Sequence, residues 1–169
     1  MDTQTLLKAL EFSRARLNGT LDTIEKVAAE KGHDVNKVLA WRPGPGRAHI
    51  AWQAMHCAAT HDKYMNVGIL GGTAKDQTLV SNYGGGSMPS DTNVPNLPTI
   101  RERLATTFTD FSYYVTTLDV PSLDRMIPAP NNTQRSVGEA IILLTWHEAH
   151  HQGQIHLTWN LYKAAHGIV

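Results

Sequence analysis

The chain has a single cysteine, Cys57, in 169 residues. No internal disulfide is possible, and a reducing compartment fits. No run of about eighteen apolar residues exists to span a bilayer. The opening Met1-Asp2-Thr3-Gln4 lacks the basic and apolar blocks of a secretory signal, so a cytoplasmic location and no membrane partner are expected. Neither sign of charge dominates: Lys plus Arg and Asp plus Glu each number 15. With no basic stripe to follow a phosphate backbone, no nucleic-acid partner is expected. Stretches of alternating polar and apolar residues are also missing, and there is no internal repeat. What remains is an ordinary globular composition, 41% hydrophobic and 18% charged, of a length that suits one domain over residues 1–169.

Helical periodicity appears in four segments. The first runs from about Thr5 to Lys31, with Leu6, Leu10, Leu17, Leu21, Ile24 and Ala28 at three- and four-residue spacing and Gly32 as its stop. Trp41-Arg42-Pro43-Gly44-Pro45-Gly46 breaks the pattern, and a second helix spans Arg47 to about Val67. Gly68 to Asn96 reads as an irregular crossover with Gly71-Gly72 and Gly84-Gly85-Gly86, either solvated or a lid over a site. Thr99-Ile100-Arg101-Glu102 resembles a capping box opening a third helix, whose stripe is Leu97, Ile100, Leu104, Phe108, Phe111, Val115 and Leu118. Pro121 closes it, and Pro128 and Pro130 keep the following stretch open. A second capping box, Ser136-Val137-Gly138-Glu139, starts a fourth helix that runs to about Ala165, with Gly167 beyond it. The expected fold is all-α: a four-helix bundle with a long Gly-rich crossover between helices two and three.

Histidine is the compositional oddity, nine in all, with His147, His150, His151, His156 and His166 near the C-terminus. On a wheel at about 100° per residue, His151 falls near 40° from His147, and both share a stripe with Ala140, Leu144, Thr158, Tyr162 and Ala165. Gln154 lies in the same stripe. Two imidazoles one turn apart on a core-facing stripe can converge on one ion, which would relieve the cost of burying them unpartnered. The bland alternative is a pair of core histidines hydrogen-bonded to Gln154, Thr158 and carbonyls. A third ligand must come from elsewhere. The second helix offers His49 and His56 on one stripe, with His61 some 140° away, roughly opposite. His56, at mid-helix beside Ala58 and Ala59, is the choice; His49, near the helix start and read as wetter, is the alternative. His61, His33 and His166 are read as surface histidines. Cys57 is read as a buried structural thiol.

His147-Glu148-Ala149-His150-His151 also satisfies H-E-x-x-H, the zinc-protease pattern in which the glutamate is the general base. That reading needs a third ligand downstream, and no Asp or Glu follows Glu148. Glu148 is therefore taken as a residue that orients ligands, together with Gln154 and Gln53.

His147-x-x-x-His151-x-Gly153-Gln154 resembles the last-helix motif of the DinB/YfiT-like superfamily, and Ala54-Met55-His56-Cys57-Ala58 resembles its second-helix histidine region. Trp41 to Arg47 and Ser136 to Ala140 are also similar. The resemblance implies a homodimeric four-helix bundle with an open three-histidine site for zinc or nickel. It implies thiol-dependent transferase or isomerase chemistry on a small-molecule substrate, with a low-molecular-weight thiol as co-substrate. A three-histidine ion keeps its full charge for its other ligands, so a thiol bound there is deprotonated and a water acidified. Thiol transfer is the favoured consequence. A metal-binding or stress-response protein without catalysis is the alternative, and metal-dependent hydrolysis is the disfavoured one.

Overall fold

The computed structural model describes residues 2–129 and 132–168. Its elements are α1 (Thr3–Glu30), α2 (Val35–Ala40), α3 (Ile50–Asp62), a π-helix (Lys63–Ile69), α4 (Gln77–Tyr83), α5 (Leu97–Thr116), α6 (Val120–Asp124), β1 (Met126–Ala129), β2 (Thr133–Ser136) and α7 (Val137–Ala165). The protein is mostly helical, and none of the described helices is long and apolar enough to cross a membrane.

The first and last helices match the sequence pattern. Asp2 caps α1 by accepting from the Thr5 amide, and the six apolar residues of its expected stripe are all buried. Gly32, at φ +74°, supplies the left-handed residue after its end. Ser136 and Glu139 form the reciprocal capping box of α7. The start of α5 differs from expectation. Asn96, not Thr99, is the cap, and its side chain accepts the Thr99 amide at 3.0 Å, with Pro98 in the first turn. The expected second helix is also shorter at its start. It opens at Ile50 on a cap made by His49 and passes into the π-helix after Asp62.

α1 packs on α5 and α7, and α3 packs on the same two helices. Side-chain pairs give the directions. Ser13 bonds the Thr145 carbonyl and Gln152 bonds Thr20, so α1 and α7 run parallel. Arg14 reaches the Leu104 carbonyl while Arg101 pairs with Asp22 and Glu25, so α5 runs against α1. His56 meets His147 while Gln53 meets Thr158, so α3 runs against α7. It follows that α3 and α5 are parallel, and the chain between them must return along the length of the molecule.

That return, residues 70–96, is less irregular than its glycines suggest. It contains α4, capped by Asp76, and is fastened at its start by buried Asp62. The Asp62 carboxylate accepts from the Lys75 amide at 3.0 Å, the Asp76 amide at 2.8 Å and Asn66 Nδ2 at 2.6 Å. The β1–β2 hairpin was not expected from the sequence. It is antiparallel, pairing Met126 with Ser136 and Ala129 with Thr133, and only Ile127 is buried. Strands of four residues with one inward side chain carry no readable alternation. Pro130, expected to hold this stretch open, lies outside the described residues.

The apolar core falls into two clusters, one around Leu17, Leu21, Leu39, Ile100 and Ile155, the other around Leu10, Phe111, Ile141 and Leu144. Between them lies a polar layer. Arg14 Nε contacts Glu148 Oε1 at 2.5 Å, Nη2 contacts Oε2 at 3.0 Å, and Nη1 donates to the Leu104 carbonyl. His61 Nε2 lies 3.1 Å from Glu148 Oε2. Although that contact is short, neither His61 nitrogen has a well-aligned hydrogen bond. One network thus touches α1, α3, α5 and α7. Burial alone would raise the Glu148 pKa; the His61 contact and the Arg14 charge outweigh it and hold the carboxyl at about 2.

Removing one partner of such a pair leaves the other charge buried and alone. Glu148→Ala is expected to lower unfolding free energy by about 3 kcal/mol or more in urea titration, and Arg14→Met/Glu148→Leu to lose less than either single variant. Additive losses in the double variant would show that the two residues stabilise the fold independently.

Candidate metal centre

The site forms where α3 and α7 cross in opposite directions. His147 and His151, one turn apart on α7, face His56 of α3. Ring centroids are 4.9 Å apart for His56 and His147, 4.7 Å for His56 and His151, and 4.5 Å for His147 and His151. One nitrogen from each ring can be chosen so that all three lie within 4.8 Å of one another. A point then exists at about 2.8 Å or less from each, against contacts near 2.0–2.1 Å for a histidine-bound ion, so small ring rotations suffice.

The surroundings prepare the rings for this. His56 Nδ1 donates to the Tyr83 carbonyl at 2.5 Å, which fixes the tautomer and leaves Nε2 unprotonated, 3.1 Å from His147 Nε2. Trp52 stacks on the His56 ring, with centroids 4.8 Å apart and planes 8° from parallel. His147 Nδ1 and His151 Nδ1 are buried with no partner, a cost that a fold does not normally leave unmet. Burial, then the like charges of the neighbouring rings, pulls His147 down to about 3 and His151 to about 4. Burial also lowers His56, against the Tyr83 bond. All three imidazoles are neutral at pH 7, the form that offers a lone pair to an ion. The residues fit a divalent metal.

Beside the rings opens a cleft of about 580 Å³, walled by Thr60, Tyr64 and Val67 on one side, Gly84 and Gly85 on another, and Pro128. The return segment therefore reaches the site twice, through the Tyr83 carbonyl and through the glycines of the cleft wall.

A family model described as the DinB superfamily matches residues 9–155. The chain belongs to the DinB superfamily. Among solved structures, this DinB protein is similar to a conserved protein from Enterococcus faecalis, with a TM-score of 0.71, 15% identity, and coverage of 95% of this chain and 97% of that one. At that identity the likeness speaks for the fold. The curated proteins contain no match.

Of the residues singled out from the sequence, His56, His147 and His151 come together, and the others do not join them. His49 is not wet: it is 1% exposed and caps α3, with Nδ1 accepting the Trp52 amide at 2.9 Å and Nε2 donating to the Ser90 carbonyl at 3.0 Å. Both nitrogens are thereby committed. His61 is not a surface histidine either, at 1% exposed in the ionic layer. The wheel misjudged it because α3 is buried on nearly every side, all of Ile50–Asp62 except Trp52. Glu148 faces away from the rings toward Arg14, which removes it as a general base. Gln154 is exposed and its amide reaches His150 Nε2 at 2.9 Å, though it also lies close enough to His151 to favour that ring's charged form. Gln53 is buried, held by the Ala48 carbonyl and Thr158 at 3.3 Å each, so it supports the packing of α3 on α7 rather than the rings. The Tyr83 carbonyl had no sequence signal, because any residue carries one.

Cys57 lies next to His56 in sequence yet is fully buried, and burial, reinforced by the nearby Glu148 charge, pushes its thiol well up. The native protein is expected to give no reaction with a chromogenic disulfide at pH 8 over minutes, and one thiol per chain after unfolding in urea. Rapid native labelling would show that the thiol is reachable and activated.

Proposed function

We propose that this DinB protein holds one divalent ion, zinc or nickel, on His56, His147 and His151, and acts as a thiol-dependent transferase or isomerase on a small-molecule substrate. The reading sets the site within a four-helix bundle whose Gly-rich crossover forms part of the substrate wall, in the cytoplasm, where a low-molecular-weight thiol stays reduced. Its chief support is the convergence of three neutral imidazoles from two antiparallel helices at the edge of an open cleft. When bound, the ion supplies a Lewis acid that favours the deprotonated form of a coordinated thiol. The chain's own groups do the rest. Tyr83 and Trp52 hold the His56 ring in one orientation. The apolar wall of the cleft receives the substrate, and Glu148, turned toward Arg14, leaves proton transfer to the thiol and solvent rather than to a carboxylate base.

The alternative, a metal-binding protein without catalysis, calls for a closed site with four protein ligands. Among the described residues the cluster has three, and the titratable neighbours on α7 are engaged elsewhere: Glu148 with Arg14, and His150 with Gln154 and, by stacking, with Trp146. Three ligands beside a cleft suit catalysis better than scaffolding.

Elemental analysis of purified protein is expected to find about one zinc or nickel per chain, falling well below half in each of His56→Ala, His147→Ala and His151→Ala, with chelation abolishing thiol-dependent turnover of a simple electrophile. Stoichiometric metal in all three variants would refute the ligand set. Metal loss without turnover under any thiol would favour the binding reading.

The same reading includes a homodimer. In its favour, α7 exposes Ile142, Trp146, Leu157 and Leu161 along the face that carries Gly153, where an added Cβ would meet nothing. Light scattering is expected to give twice the chain mass, reduced toward one chain by Leu157→Glu; a monomeric native protein would rule the homodimer out.

A further inference from the structure

The cleft beside the histidines has a chemical character of its own. Its surface is mainly apolar, contributed by Val67, Pro128, Ala129 and the Tyr64 ring, and among the described residues no carboxylate lines it. Beside the neutral histidines, the one charged side chain among the described lining residues is Lys63. Lys63 is exposed and has no ion-pair partner among the described residues, unlike Lys75, which is tied to Asp110, or Arg103, tied to Asp76. An ammonium at the rim of an apolar cleft is well placed to meet a ligand's negative charge.

The spacing of these groups sets a length. His56, Thr60, Lys63, Tyr64 and Val67 follow one another along α3 and into the π-helix, which begins at Lys63. Seven residues at 1.5 Å each put the Lys63 backbone about 10 Å along the axis from His56. The wider π-helical turn brings Lys63, Tyr64, Val67 and Gly68 onto the same cleft wall, and single π-turns of this kind recur at functional sites.

Building on the proposed metal site, we propose that the substrate is an amphipathic carboxylate: a reactive end at the histidines, an apolar middle against Val67 and Pro128, and a carboxylate paired with Lys63 about 10 Å away. Lys63 acts on binding and selectivity and takes no part in the bond-making.

Cobalt-loaded protein, titrated with 8-mercaptooctanoate and with octanethiol, reads this directly through the sulfur-to-cobalt charge-transfer band. At low salt the carboxylate is expected to bind about three- to five-fold more tightly, the range of a solvent-accessible ion pair. The preference should fall to about one in Lys63→Met and shrink with added salt. With 3-mercaptopropionate, too short to span the distance, no such dependence on Lys63 is expected. Equal affinity of the two long thiols in the native protein, or a preference that survives Lys63→Met, overturns the proposal. Metal-free protein provides a second measurement that does not depend on the histidines. Anilinonaphthalene sulfonate, an apolar ring with one anion, should bind more weakly in both Lys63→Met and the cleft-filling Val67→Trp, and unchanged binding in both overturns the proposal as well. Failure of cobalt to load would count against the metal site, while the dye result would still decide the role of Lys63.

Discussion

The buried contact between Arg14 and Glu148 is the constraint on which the rest of the arrangement depends. A guanidinium and a carboxylate that leave water together must meet in good geometry and have their remaining donors satisfied. Here Nη1 donates to the Leu104 carbonyl of α5, and the carboxylate oxygen that meets Nη2 also faces His61 of α3. Apolar side chains can slide past each other at modest cost, but this layer cannot, so it sets the rotation and height of all four long helices against one another. Glu148 points into it, and His147, the next residue back, is therefore turned about 100° aside, toward α3. The register that satisfies the ion pair is the register that brings the histidines together.

The three-histidine cluster and the ionic layer thus share α3 and α7 but divide the work. One side of α7 buries a charge whose partners are fixed; the other presents neutral rings with unpartnered nitrogens to a cleft. Glu148 held at about 2 stays charged and engaged, while His147 at about 3 and His151 at about 4 stay neutral and available. A charged and a neutral side chain one residue apart follow from what each side chain faces. The H-E-x-x-H spelling, read without that geometry, assigns the glutamate to a histidine cluster it turns away from.

The return between two parallel helices could have been a bare tether. Instead α4 and the Asp62 turn fold it back so that a backbone carbonyl orients the His56 ring and two glycines line the cleft. Gly84 is required there: a Cβ would run into the Val80 carbonyl. A segment that orients a buried histidine and walls a cleft has reason to be long.

Sequence by itself determined the helical class, the limits of the first and last helices, and the pair His147 and His151, because 3.6-residue periodicity and capping chemistry are local properties of the chain. It also pointed to His56, though by position and resemblance more than by periodicity. Tertiary structure decided the rest. His49 became a helix cap, His61 and Glu148 became members of a buried ionic layer, and the cap of α5 fell to Asn96, because each choice depends on what another segment places nearby. The small β-hairpin and the Tyr83 carbonyl were invisible for the same reason: short strands and backbone acceptors acquire meaning from their partners, and partners distant in sequence are supplied by the fold alone.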